Sequence, residues 1–256
     1  EPAEPLPPMT QEDLEFERFQ IKAVSAIEEE LDRILKTRKQ SRIQTIADMV
    51  IRNYGHLDEK INFYQNLRSL EDYVSRHSLN VAILCAMITH VMNIRREEQY
   101  HTVCAALLHD MGKLKKHEDV YFGAPYSRED AIRNCETQEE AYSVIEDAFA
   151  TEGPAIRRIC QQAAGKQLDL FPEEGKESRY KMLEGSNVLL VANRYDEITA
   201  MTLQGTAQSE VKAAQELLEH PEVYDPETVQ ALLRSINILP PGASVELSTG
   251  EKALVL

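Results

Sequence analysis

Residues 105–113, AALLHDMGK, close an apolar run on a histidine and an aspartate side by side. Imidazole and carboxylate in an apolar setting need explaining, because a buried carboxylate is costly without a counter-charge. A divalent cation meets that need, and this donor set suits Fe, Mn or Zn better than Ca. The same doublet is also what the polar end of a core helix looks like. Three further features favour the metal. His77 opens another apolar run, and Gly112 permits a helix end or a tight turn directly after the doublet. Lys113 then falls close enough to hold a phosphate oxygen. A fourth donor has to come from a third apolar segment. VANRYDEIT offers Asn193 and Asp196, at i and i+3 on one helical face.

These residues must be positioned by helices. YVSRHSLNVAILCAMITHVM (73–92) and EEQYHTVCAALLHD (97–110) are apolar on most sides and are expected as central helices, as is SNVLLVANRYDEITAMT (186–202). Around them, helical patterns run from Thr10, a good N-cap, to about residue 38, then over 41–54 and 57–70. Residues 117–137 are polar and loop-like. The helical pattern resumes over 137–149 and 153–164, breaks at 165–178, and returns at 209–220 and 225–236. SVEL and KALVL flank STGE as a small terminal hairpin. The expected class is all-α: a helical bundle at 71–240, an N-terminal helical region at 10–70, a Pro-rich linker at 1–9 and a β-hairpin at 241–256.

Val24, Ile27, Leu31 and Ile34 repeat at spacings of 3, 4 and 3. Such a stripe serves equally as a seam between two subunits or as packing within its own domain. The seam would make the chain a homodimer.

The chain of 256 residues carries 43 acidic and 28 basic side chains, a formal charge of -15, which argues against binding a nucleic-acid duplex. No segment reaches the apolar length of a membrane span. Cys85, Cys104, Cys135 and Cys160 show no Cys-x-x-Cys spacing, and Cys85, Cys104 and Cys160, in apolar helix-like runs, read as buried free thiols in a reducing cytoplasm. Among the other histidines, His90 reads as a core residue and His56, His101 and His220 as surface groups; His117 is close enough to the doublet to stand in as a ligand but is not expected to be one. Arg157 and Arg158 read as a solvated helix face, and Tyr195 as core.

The set resembles the HD superfamily of metal-dependent phosphohydrolases, and more closely its HD-GYP branch, which hydrolyses cyclic di-GMP. YVSRHSLNVAIL is similar to the branch's first-ligand helix, AALLHDMGKLK to its His-Asp signature, and VLLVANRYDEITA to the helix that closes the site. ILPPGASVELSTGEKALVL is similar to its terminal hairpin. The resemblance covers roughly residues 55–256 and implies a metal held by His77, His109 and Asp110, with Lys113 on the substrate phosphate.

It also implies losses. The family's closing aspartate falls at Asn193, and its second, supporting aspartate at Asp196. A later histidine falls at Thr137, paired histidines and a glutamate fall near Gln161, Gln162 and Ala163, and the Gly-Tyr-Pro loop survives as Phe171-Pro172. Three readings follow. The first is a divergent regulatory domain with weak or no cyclic di-GMP phosphodiesterase activity, which binds a nucleotide or a protein and sits downstream of a sensor. The second is a mononuclear phosphohydrolase using His77, His109, Asp110 and Asn193 or Asp196. The third is a non-catalytic helical dimerisation module. Metal content and turnover separate them.

Overall fold

A computed structural model describes residues 11–63, 65–115, 127–172, 181–201, 207–239, 244–246 and 249–254. Thr10, His117 and the Pro-rich start lie outside them. The described residues are overwhelmingly helical. α1 (Gln11–Thr37) and α2 (Ile43–Tyr54) are followed by α3 (Tyr73–Val91) and α4 (Arg96–Leu108). A 3-10 turn at Met111–Lys115 leads on to α5 (Arg128–Phe149), α6 (Gly153–Lys166) and α7 (Glu184–Thr199). α8 (Glu210–Glu219), α9 (Pro226–Ser235) and the strands β1 (Ser244–Glu246) and β2 (Lys252–Leu254) complete the order. The strands pair antiparallel, Ser244 opposite Leu254, as the expected hairpin.

α3 and α4 form the centre, and nearly every side chain of α3 from Tyr73 to Thr89 is buried. A helix apolar all round is stable only when neighbours cover every face. α1, α2, α4, α7 and α9 pack around α3. The α3–α4 corner is tight. Asn93, at φ 54°, donates its N–H to His90 O at 2.9 Å, and Ile94 donates to Thr89 O at 2.9 Å. This is a Schellman end with asparagine in the left-handed position, which asparagine tolerates better than most residues.

The apolar stripe of α1 resolves in favour of its own domain. Ile27, Leu31 and Ile34 are fully buried and Val24 nearly so, in the same core as α3 and α4. Glu30 is buried beside that stripe and accepts from the Ser41 and Arg42 N–H groups, satisfying the exposed start of α2.

Two expectations about elements are corrected. Residues 57–63 and 65–70 are not helical. Their backbone bonds go elsewhere: Ile61 N–H to Ser235 O (3.2 Å), Asn237 N–H to Ile61 O (2.9 Å) and Arg68 N–H to Met201 O (2.8 Å). These bonds tie the segment to the chain after α7 and to the end of α9; of its apolar residues Phe63 is buried and Leu57 and Ile61 partly so, while Leu67 and Leu70 are exposed. The polar stretch before residue 137 is helical from Arg128 onward, because Ser127 caps α5 by accepting from the Asp130 N–H at 3.2 Å. His90, expected in the core, is half-buried at the end of α3 and pairs with the exposed Asp58. Tyr195 is buried in the core, as expected.

Candidate metal centre

The centre lies where α3, α4 and α7 meet. His77 comes from the first turns of α3, His109 caps α4, Asp110 follows it, and Asn193 and Asp196 come from α7. All five are buried, as is Lys113.

Each histidine has its Nδ1 committed. His77 Nδ1–H donates to Asp196 Oδ2 at 2.6 Å, and His109 Nδ1–H donates to Ala106 O at 2.7 Å. The proton on Nδ1 leaves a lone pair on Nε2 of each ring. Those two Nε2 atoms lie 3.1 Å apart. Asn193 Oδ1 lies 2.8 Å from the first and 2.9 Å from the second. Asp110 adds oxygens at 3.5 Å from His77 Nε2 and 3.9 Å from His109 Nε2. The Asn193 amide is oriented independently, since its Nδ2–H donates to Glu197 Oε1 at 3.1 Å.

With each Nδ1 proton placed in this way, the two Nε2 lone pairs and Asn193 Oδ1 face one another, and the Asp110 carboxylate lies at their edge. Four lone pairs repel unless a cation sits between them. For metal–ligand bonds of about 2.1 Å, neighbouring ligands stand roughly 3.0 to 3.4 Å apart, close to the separations here. The residues fit a divalent transition metal. Among the described residues, His77, His109 and Asp110 are the one set of three or more His, Cys, Asp and Glu side chains grouped closely enough to hold an ion.

Asp196 lies behind His77 rather than beside it. Its Oδ1 accepts from Arg68 (2.7 Å), Gln65 (2.8 Å) and Asn80 (3.0 Å), and its Oδ2 takes the His77 proton. That geometry orients a ligand, as carboxylates behind metal-bound histidines do. Arg68 in turn lies over the Tyr73 ring, which stacks on His77. Burial alone would raise the Asp196 carboxyl. Arg68 and the His77 hydrogen bond outweigh it and hold the group far below the usual carboxylate range. Asp110 is likewise buried, yet Lys113, His109 and His77 hold it well below that range. Burial lowers His109 and favours its neutral, ligating form, against the pull of Asp110.

Lys113 Nζ donates to Asp110 Oδ2 at 2.7 Å. Gln138 on α5 donates to Asp110 Oδ1 at 3.0 Å and accepts the Gly112 N–H at 2.9 Å. A Cβ at residue 112 would fall 2.6 Å from both Gln138 Oε1 and Thr137 O, so the glycine is required by the close approach of α5. Tyr142 O–H donates to His109 O at 2.8 Å.

Thr137 is buried next to Gln138. Gln161 donates to Glu139, and Gln162 Oε1 accepts from Leu183 N–H and Ser186 Oγ at the start of α7. Both α6 glutamines are thus engaged away from the four-donor point. Arg157 pairs with Glu139 and Glu146 on the outer face and does not line the site. Beside His109, Asp110 and Asn193 lies a cavity of about 20 Å³ bounded by Asn134, Gln138 and Gln167. That is room for about one water molecule.

Sequence reasoning missed Arg68, Gln65, Asn80, Gln138 and Glu197. Only Glu197 carried a readable signal, its i+4 spacing from Asn193.

A helical bundle with a His, His-Asp and amide donor set at its centre defines the class, and comparison with known families agrees. The family model described as HD domain matches residues 74–201. The chain belongs to the HD domain family. No curated protein matches it in sequence. Among solved structures it is similar to Bd1817, a HDG"Y"P protein from Bdellovibrio bacteriovorus. The identity is 16% and the TM-score 0.47, over 88% of this chain and 80% of that one.

Proposed function

We propose that this chain is a divergent HD-GYP-like signalling domain that holds one divalent transition metal and acts by binding, with weak or no cyclic di-GMP phosphodiesterase activity. The observation that carries this reading is the convergence of four donors on one point while the adjoining α5–α6 wall offers neutral groups. His77, His109, Asp110 and Asn193 would hold the ion, and Asp196 would keep His77 in its ligating tautomer. A bound metal supplies a more acidic water and offsets charge that develops on a phosphate. Two-metal phosphodiesterases divide those tasks between ions. Thr137 and the glutamine side chains around it bring no charge for a second. The cavity beside Asp110, about 20 Å³ among the described residues, has room for about one water.

A mononuclear phosphohydrolase is the second reading, and Lys113 beside Asp110 favours it. Lys113 Nζ has two protons left after its bond to Asp110 and would hold a phosphate oxygen, while Asp110 positions the water. The partner in the binding reading is a cyclic dinucleotide, another nucleotide or a protein, and an upstream sensor domain belongs to the same proposal. A homodimer is also part of it, through a surface other than the buried α1 stripe. No helix among the described residues is long and apolar enough to cross a membrane.

The test is metal analysis of protein purified without chelator, together with turnover of cyclic di-GMP and a generic bis-phosphodiester in added Mn or Fe. The proposal expects one equivalent of metal, lost in His109→Ala, and weak or no turnover. Efficient turnover that is lost with the metal supports the hydrolase instead. Absence of metal removes both readings.

A further inference from the structure

We infer that Glu197 is a positioning residue of the metal centre, acting through Asn193 and supplying the negative charge that Asn193 lacks. The inference rests on the reading that the centre holds a metal.

The charges around the four-donor point are already matched. Asp110 faces Lys113 at 2.7 Å, and Asp196 faces Arg68 at 2.7 Å. His77, His109 and Asn193 are neutral as ligands. A dication held there would be buried with no net negative charge to offset it, which is costly. Glu197 is the nearby carboxylate whose cation is shared, since Arg194 is bound more closely to Glu216; burial raises the Glu197 carboxyl against the pull of Arg194 and Lys113. It is buried, one helical turn beyond Asn193 on α7 and on the same face. Its Oε1 accepts the Asn193 Nδ2–H at 3.1 Å. Its Oε2 is buried without a hydrogen-bond partner among the described residues. The cation facing it, Arg194 Nη1, stands at 3.6 Å, and Arg194 is itself bound to Glu216, with its Nε at 2.7 Å from that carboxylate.

Two consequences follow. The hydrogen bond fixes the amide so that Oδ1, not Nδ2, faces both histidine Nε2 atoms. The carboxylate also draws the amide proton and so raises electron density on the carbonyl oxygen. Asn193 and Glu197 together do what one aspartate ligand would do: one offers the oxygen, the other the charge. This repeats on an amide the arrangement Asp196 makes with His77, where a carboxylate behind the ligand strengthens it.

The test is calorimetric titration of Mn(II) and Zn(II) into the metal-free full chain, for wild type, Glu197→Gln, Asn193→Asp and the double variant. Glutamine keeps an oxygen for the Asn193 amide and removes the charge. Its affinity is expected to fall about 10- to 100-fold, as for other partners behind metal ligands. The metal-free melting temperature should stay close to wild type. The double variant, with charge restored on the ligand itself, should regain most of the loss. Equal affinity of Glu197→Gln and wild type would overturn the inference, and so would a double variant no better than Glu197→Gln. If Glu197→Gln does not fold, the comparison moves to the Asn193→Asp background. There, adding Glu197→Gln should leave affinity unchanged or raise it, and a 10-fold loss would overturn the inference. Wild type that binds no metal removes the metal reading as a whole. Wild type that binds while Glu197→Gln binds equally well removes this inference alone.

Discussion

On the α3–α7 side of the His77–His109 pair, charge is held against charge in layers; on the α5–α6 side, amides and a hydroxyl fill the same depth. Asp196 joins His77 to Arg68, Gln65 and Asn80, so the first histidine is fixed by a network reaching two contacts outward. Across the site, Gln138 bridges Asp110 and the Gly112 N–H, while Gln161 and Gln162 serve Glu139 and the start of α7. On the proposed reading one ion would be held by the first side alone, since it carries Asn193, both histidines and, through the α4 end, Asp110. The second side stabilises the wall and contributes no charge. On that reading the site would keep the half that anchors a metal and lack the half that would use two.

Breaking the charged side should give the largest effect. Arg68→Ala leaves Asp196 buried at full charge with its cation gone, and loss of one partner from a buried pair costs about 3–5 kcal/mol. Urea unfolding of metal-free protein reads this directly. A cost under about 1 kcal/mol would mean that the network is not what holds this side together. The pH dependence follows from the same group. Asp196 is held below its unfolded value, so its contribution is complete above that value and lost as pH falls from about 4 downward. Arg68→Ala raises the folded value toward the unfolded one, so its stability should fall less steeply over that acid range than wild type.

The two sides also differ in how far the sequence disclosed them. His77, His109, Asp110 and Asn193 stood out because they interrupt or end apolar helical runs, where a polar group must be paired or hold a ligand, and Lys113 because it follows the doublet so closely. Arg68 did not. It sits in a stretch whose apolar spacing mimicked a helix, and its partners Asp196 and Met201 are more than a hundred residues away. Pairing at that range leaves no local pattern. Gln138 was hidden differently, at the edge of a stretch expected to be loop, although the Ser127–Asp130 spacing announced a helix start. The α1 stripe was legible as buried but not as to what buries it, because periodicity marks a face and not its neighbour.

A middle effect should come from the neutral side at its closest approach. Gln138→Ala leaves the Gly112 N–H and one Asp110 oxygen unpaired, for a loss of about 1–3 kcal/mol in urea unfolding. Gly112→Ala should cost a similar amount, about 1–3 kcal/mol, by forcing α5 away from the 3-10 turn. The comparison is sharpened by metal content. Gln138→Ala should keep one equivalent, since no donor facing the shared point is removed. Loss of the metal in that variant would place Gln138 in the anchoring half and dissolve the distinction between the sides.

The smallest effect belongs to the outer surface of the same wall. Arg157 joins α6 to α5 through Glu139 at 3.1 Å and Glu146 at 3.2 Å, with all three side chains partly in solvent. Partly exposed pairs of this kind contribute about 0.2–1 kcal/mol and are screened by salt. Arg157→Ala should therefore lower stability by no more than about 1 kcal/mol, with the difference shrinking as salt is raised. Metal affinity should equal wild type. A drop in affinity would mean that α6 is held in place by its outer pairs tightly enough to set the centre. The glutamines of α6 would then act on the metal through the helix that carries them, and the wall would have to be counted as part of the site.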